Sequence, residues 1–221
     1  MQVMSHTDLL SPDEYTLDTG GPGFTQHAAE LTFDKFENHG FALVLRAYPE
    51  LGLAALKAAL GNHWTAAGGK GLIETTAEGT HHYTTPGDQR PNTALFEVLK
   101  PTVAMINSAG ASREGSIKTG TSNLIRDWRA SKISEGFRSP SFIDGNHGIL
   151  GMAAVEGDSM ATIGRGQGWL RGVVDIAEFE LPPNSLLLVP NRWQHGHEPK
   201  PLNIQITKPT AGVQTLCTFT F

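Results

Sequence analysis

The chain has 221 residues, with 17 Lys and Arg against 22 Asp and Glu, for a formal net charge of -5. That length suits one domain rather than two independent cores, and a hydrophobic content of 39% supplies a core and excludes wholesale disorder. The single cysteine, Cys217, excludes a disulfide-stapled scaffold and a cysteine zinc knuckle, and the acidic balance argues against a nucleic-acid partner. No apolar run reaches the roughly 18 residues a membrane-spanning helix needs. Met1 to Asp18 has no basic stretch leading into an apolar one, so a cytoplasmic protein is expected. Gly and Pro together make about 17% of the residues against a usual roughly 12%, which predicts many turns and short strands.

Residues 1–30 are polar and contain Gly20-Gly21-Pro22-Gly23, which reads as an irregular arm; residues 31–221 are expected to form a single domain. Phe33 to Gly40 predicts a short helical turn closed by Gly40. Phe41 to Leu45 is a continuous apolar run, consistent with a buried strand. Pro49 suits the first turn of a helix carrying Leu53, Leu56 and Leu60 at helical spacing, and Gly61-Asn62 predicts its end. Asn92 is placed to cap another helix with Phe96, Leu99, Val103 and Ile106 on one side, which Pro101 should kink or break after Lys100.

From Ile117 onward, short apolar runs alternate with turn residues: Gly148 to Val155, Met160 to Ile163, Val173 to Phe179, Leu186 to Val189 and Thr215 to Phe221. In the last run Cys217, Phe219 and Phe221 alternate with Leu216, Thr218 and Thr220, which predicts a strand with one more apolar face. Pro182-Pro183-Asn184-Ser185 reads as a turn. Gly164-Arg165-Gly166-Gln167-Gly168 lacks the Lys-Ser/Thr of a phosphate loop and reads as a hairpin or loop. Helices first and strands after predict a mainly β fold, a jelly roll braced by N-terminal helices.

Several of the nine histidines sit where chemistry is plausible. His195 and His197 follow the Leu186 to Val189 run. His147 lies in Asp144-Gly145-Asn146-His147-Gly148, just before the Gly148 to Val155 run, and His81-His82 is expected in a polar loop. A carboxylate and an imidazole from one loop, joined by an imidazole about 50 residues later, suit a ferrous centre that keeps open coordination positions. Taken singly, any of these histidines is more often a surface or hydrogen-bonded loop residue. No nucleophile elbow accompanies the Ser, His and Asp residues, which disfavours acyl transfer. Cys217 is read as a packing thiol.

Phe36 to Leu45 with the Pro49 to Leu60 helix resembles the opening of iron(II)/2-oxoglutarate dioxygenases of the phytanoyl-CoA hydroxylase type. Leu186 to Pro190, then Trp193-Gln194-His195-Gly196, then the Thr218-Phe219 strand is similar to the second half of the double-stranded β-helix of that superfamily, as also found in alkylation-repair dioxygenases. The resemblance implies a cupin-like jelly roll and an oxygenase that uses Fe(II) and 2-oxoglutarate. The oxygenase so implied would act on a small organic molecule by hydroxylation or a related oxidation. It places His195 as the distal iron-binding histidine and Asp144 as the carboxylate of the family's His-x-Asp pair.

Two positions depart from that pattern. Phe142 stands where the pair has its histidine, so the missing imidazole comes from His147, from another histidine such as His82, or from none in a degenerate site. Gln214 stands where the closing strand usually carries the base for the 2-oxoglutarate carboxylate. An amide does not neutralise a carboxylate, so Lys208, Arg126, Arg129 or Arg192 is expected to substitute, Lys208 first. The departures keep two alternatives open: a jelly-roll binding protein without oxygenase activity, or a cupin-like metalloenzyme that does not use 2-oxoglutarate.

Overall fold

The structure is a computed structural model describing residues 9–21, 23–66, 72–76, 79–84, 93–111, 128–134, 137–138, 149–166, 173–190, 202–207 and 209–221. One turn of helix, α1 (Pro12–Tyr15), leads into β1 (Thr16–Asp18), α2 (Gln26–His39), β2 (Ala42–Leu45) and α3 (Glu50–Ala66). Next come β3 (Leu72–Thr76), β4 (Gly79–Thr84), α4 (Thr93–Ala111), β5 (Trp128–Ile133) and β6 (Phe137–Arg138). The chain finishes with β7 (Ile149–Glu156), β8 (Ser159–Gly166), β9 (Val173–Leu181), β10 (Ser185–Pro190), β11 (Leu202–Ile206) and β12 (Gln214–Thr220).

The strands form two sheets. The larger has eight strands in the order β1-β2-β10-β7-β12-β5-β4-β3, and the smaller has four in the order β6-β11-β8-β9. From β5 onward the chain passes back and forth between them: β5, β7, β10 and β12 join the larger sheet, and β6, β8, β9 and β11 the smaller. Pairings are antiparallel except β1 with β2.

Two apolar layers hold this together. Phe33, Phe36, Leu56, Leu99, Val103 and Ile106 from the helices pack on Val44, Val155, Leu188, Cys217 and Phe219 of the larger sheet. Phe41, Leu43, Met152, Leu187 and Leu216 on its other face meet Ile163, Phe179, Leu181, Ile204 and Ile206 of the smaller sheet. The larger sheet is therefore covered on both sides, which is why β7 is buried at every residue but Glu156. Continuous apolar runs are what such two-sided burial requires, at roughly 1.5–3 kcal/mol for each large side chain removed from water.

The N-terminal elements are longer and more regular than the sequence suggests. Residues 12–18, expected in an irregular arm, form α1 and β1. Tyr15 is buried with ring centroids 5.0 Å from Phe41 and 5.6 Å from Phe179, so α1 closes one side of the sandwich. Helix α2 begins at Gln26, seven residues earlier than the predicted turn, because Thr25 caps it by accepting from the Ala28 N–H at 3.1 Å. Gly40 ends it at φ 81°, as expected.

Helix α3 continues through Gly61 to Ala66. A helical glycine costs about 1 kcal/mol, and burial of Leu56, Ala59 and Leu60 with Trp64 packed against the same core outweighs it. Helix α4 likewise runs through Pro101. Pro101 lies on the exposed side, while Leu99, Val103 and Ile106 hold the opposite side in the core. His81 and His82 belong to strand β4 rather than to a loop. Gly164 to Gly166 ends β8, which pairs with β9 from Gly166↔Val173 as the expected hairpin.

Candidate functional site

The two ends of the sandwich differ. At one end the turns between β7 and β8, β9 and β10, and β11 and β12 are short and bonded to one another. Gly157 adopts φ 74° in the first turn, and a β-carbon there would meet the Val213 carbonyl oxygen at 2.5 Å. Asn184 adopts φ 63° in the second, its N–H donating to Ala154 O at 2.8 Å. At the third turn Thr207 N–H donates to Met160 O at 2.9 Å. This end is closed by backbone.

At the other end lie Trp128 (paired with Phe219), Ile149 (paired with Pro190), Leu150 (paired with Thr220), Gly166 (paired with Val173), and Leu202 (paired with Arg165). Thr84 of β4, paired with Ala130, and Arg138 of β6, paired with Gln205, terminate toward the same end. The connections 85–92, 112–127, 139–148, 167–172 and 191–201 thus all start or finish at this open end. Functional side chains concentrate in such connections when a rigid scaffold positions their ends.

Asp144, Phe142 and His147 fall in 139–148, His195 and Arg192 in 191–201, and Arg126 in 112–127; all lie outside the described residues. The strand ends that bound the first two segments are described. Ile149 and Pro190 are direct partners, while Arg138 pairs with Gln205, the next-to-last residue of β11. One boundary of each histidine-bearing segment, Ile149 or Pro190, is thus at the open end, and each segment joins in sequence a strand of the larger sheet to one of the smaller. Lys208 also lies outside the described residues. Among the described residues no group of three His, Cys, Asp or Glu is arranged to hold a metal.

Gln214, expected beside a co-substrate carboxylate, is described, and it is wholly buried at the closed end. Its Oε1 accepts from Ser159 Oγ at 2.5 Å and its Nε2 donates to Leu181 O at 2.9 Å. The amide clamps β12 to the adjoining ends of β8 and β9.

Sequence reasoning missed a polar row inside the sandwich. Ser131 of β5 and Thr218 and Thr220 of β12 are 0% exposed, and their hydroxyl oxygens have no hydrogen-bond partner. Ser131 pairs with Leu216 and Thr218 with Met152, both in the inter-sheet layer, so these hydroxyls share the inner face. The signal was the alternation in β12, whose less apolar residues are buried too.

Cys217 and Tyr48 lie in the helix-facing layer. Burial pushes the Cys217 thiol and the Tyr48 phenol far above their ordinary ranges, so both stay protonated and the thiol is inert. On the same side a shallow cleft of about 100 Å³ between α3 and the sheet is lined by Lys57, Trp64, Lys132 and Glu156. Lys132 Nζ stands 5.1 Å from the centre of the Trp64 ring. No described helix is long and apolar enough to cross a membrane.

No protein-family model matches the sequence, and no curated protein is similar to it. Solved structures do match. An oxidoreductase of the 2OG-Fe(II) oxygenase family from Burkholderia pseudomallei is 10% identical with a TM-score of 0.55, covering 93% of this chain and 94% of its own. A prolyl hydroxylase from Trichoplax adhaerens, solved with a hypoxia inducible factor peptide fragment, is 10% identical with a TM-score of 0.60, covering 89% and 90%. The non-heme alpha ketoglutarate dependent carbocyclase SnoK from nogalamycin biosynthesis is 12% identical with a TM-score of 0.60, covering 90% and 86%. Over nearly its whole length, the chain has the fold of the 2OG-Fe(II) oxygenases.

Proposed function

We propose that the chain is a non-haem iron(II)/2-oxoglutarate-dependent oxygenase of a small organic molecule, built on a double-stranded β-helix. The observation that carries this reading is the pairing of Ile149 with Pro190, which sets side by side the strand ends that bound the segments carrying Asp144, His147 and His195, on a sandwich that shares the oxygenases' fold.

Asp144, His147 and His195 would hold the metal. One carboxylate and two neutral imidazoles fit a divalent first-row ion that keeps positions free for other ligands. Iron and 2-oxoglutarate, when bound, supply the oxidation of substrate by dioxygen. The chain's own part is to fix the donors and keep water out: Met152, Ile163, Ile204 and Ile206 line the space between the sheets. Arg126 and Lys208 are candidate bases for the co-substrate, while Gln214 supports the wall through its clamp to Ser159 and Leu181. The acidic net charge of -5 favours a small molecule over nucleic acid.

The test is metal analysis after anaerobic reconstitution with Fe(II). Roughly one iron per chain is expected, lost in His195→Ala and in His147→Ala, with succinate released from 2-oxoglutarate under air. A chain that takes up no iron overturns the metalloenzyme reading and leaves a binding protein. Iron without 2-oxoglutarate turnover or binding points to a cupin-like metalloenzyme. Retained iron in His147→Ala assigns the second imidazole to another histidine such as His82.

A further inference from the structure

The cleft between α3 and the larger sheet has features that the fold does not require. Lys57, Leu60, Gly61 and Trp64 of α3 line one wall at helical spacing, so they share one face of the helix. Glycine is a poor helix former, and a β-carbon built on Gly61 would meet no atom within 4 Å. Packing against the chain therefore does not call for glycine there, and its missing side chain leaves the cleft open.

The opposite wall is a row of polar residues across three adjacent strands. Glu156 of β7 pairs with Thr215 of β12, which pairs with Lys132 of β5, and all three line the cleft. Glu156 reaches this side through a bulge. Leu216 pairs with Ala154 and Thr215 with Glu156, so Val155 is an extra residue on β7. Met152 and Ala154 belong to the inter-sheet layer, and simple alternation would send Glu156 after them. Bulges re-aim side chains in this way, often next to active sites. Lys132 is held in place, its Nζ 5.1 Å from the centre of the Trp64 ring. Among the described residues, Lys57, Lys132 and Glu156 form no ion pair.

We propose that this cleft is a second ligand site, for a small carboxylic acid that carries a hydroxyl or amino donor beside its carboxylate. Two ammonium groups against one carboxylate leave the cleft net positive on a chain of net charge -5, so a ligand carboxylate is the complementary group. Glu156, an acceptor only, selects a ligand with a donor and repels a second carboxylate. Leu60, Gly61, Ala130 and Val155 give a short apolar floor. A cavity of roughly 150 Å³ takes benzene, so about 100 Å³ suits an acid of about three or four carbons. The cleft lies on the helix side of the larger sheet, beside the closed-end turns, and the proposal does not rest on the oxygenase reading.

The test follows the indole N–H signals of the full chain by NMR during titration with L-lactate, L-alanine, propionate and L-lactamide. The chain has four tryptophans, and the signal lost in Trp64→Phe belongs to Trp64. Lys132→Gln, which removes the cation beside the ring, should move the same signal and assigns it if Trp64→Phe does not fold. L-Lactate or L-alanine should shift it saturably, and whichever does so names the donor. Propionate, without the donor, should bind about threefold or more weakly, and L-lactamide, without the carboxylate, should not bind. Lys57→Gln and Lys132→Gln should each weaken binding about threefold, the scale of an exposed ion pair. Glu156→Ala should bring L-lactate and propionate to similar affinity. Gly61→Leu should raise the melting temperature of the ligand-free chain and abolish the shift. A Trp64 signal that neither L-lactate nor L-alanine moves overturns the proposal, as does a shift kept in Gly61→Leu and both lysine variants. Shifts confined to the other tryptophans overturn it too, and none of these results touches the oxygenase reading.

Discussion

Gly151 lies under the ring of Phe219: a β-carbon built on it would come within 2.5 Å of Phe219 Cζ. The two are direct partners on β7 and β12, in the layer that faces the helices. Gly151→Ala should therefore force the ring or a strand to move in a core with no slack, costing about 1–3 kcal/mol. The check is urea unfolding, with a lower midpoint and an unchanged slope. An unchanged midpoint would mean that the Phe219 ring has another place to go.

Asn184 joins three parts of the closed end. Its Oδ1 accepts from Tyr48 N–H at 2.9 Å and its Nδ2 donates to Tyr48 O at 2.8 Å, from a backbone at φ 63°. Asn184→Ala should lose both bonds and strain the turn, for about 2–4 kcal/mol. Asn184→Gly relieves the strain and should be less damaging by about 1 kcal/mol. Equilibrium unfolding of the pair separates the backbone effect from the amide effect; equal losses would show that the amide alone matters.

The Tyr48 hydroxyl is buried without a hydrogen-bond partner. Tyr48→Phe should be neutral or stabilising by about 1 kcal/mol, since it removes a polar atom that folding strips of water for nothing. Thermal unfolding measures it, and a clear loss of stability would reveal a partner for the hydroxyl.

Alkaline pH should weaken the fold. The folded Cys217 thiol is held above its ordinary value of 9.0 and the Tyr48 phenol above 10.0, both by burial first. Above about pH 9 the unfolded chain releases protons that the folded chain keeps, so stability falls as pH rises. It should be flat with respect to these two groups below that point. Cys217→Ala should flatten the first part of the decline, measured as unfolding free energy between roughly pH 8 and 10.

What the sequence disclosed follows from burial. The Gly148 to Val155 and Leu186 to Val189 runs are legible as strands because both faces of the larger sheet are covered, so no polar residue interrupts them. Strands β3 and β4 were not legible: Leu72–Thr76 and Gly79–Thr84 are mostly polar and lie at the sheet edge, where pairing with β5 supplies the order that propensity does not. Pro101 misled because a local rule was read without knowing which side of α4 faces water. Candidate ligands were legible as residue types next to apolar runs, since His147 and His195 adjoin β7 and β10. The inner hydroxyls were not, because an alternation of Thr with Phe says which residues share a face and not that both faces are buried.

The contrast between the ends of the sandwich bears on how such a chain can diversify. Each left-handed residue at the closed end, Gly157, Asn184 and Gly212, fixes a turn whose length can hardly change. The five connections that start or finish at the open end are each bounded on at least one side by a paired strand, and doubling the length of such a connection costs only about 0.6 kcal/mol. Insertions and substitutions there can reshape what is bound while the ladders between β10, β7, β12 and β5 stay as they are. The fold is shared with the solved oxygenases at 10–12% identity, so almost every residue can differ while the frame is kept.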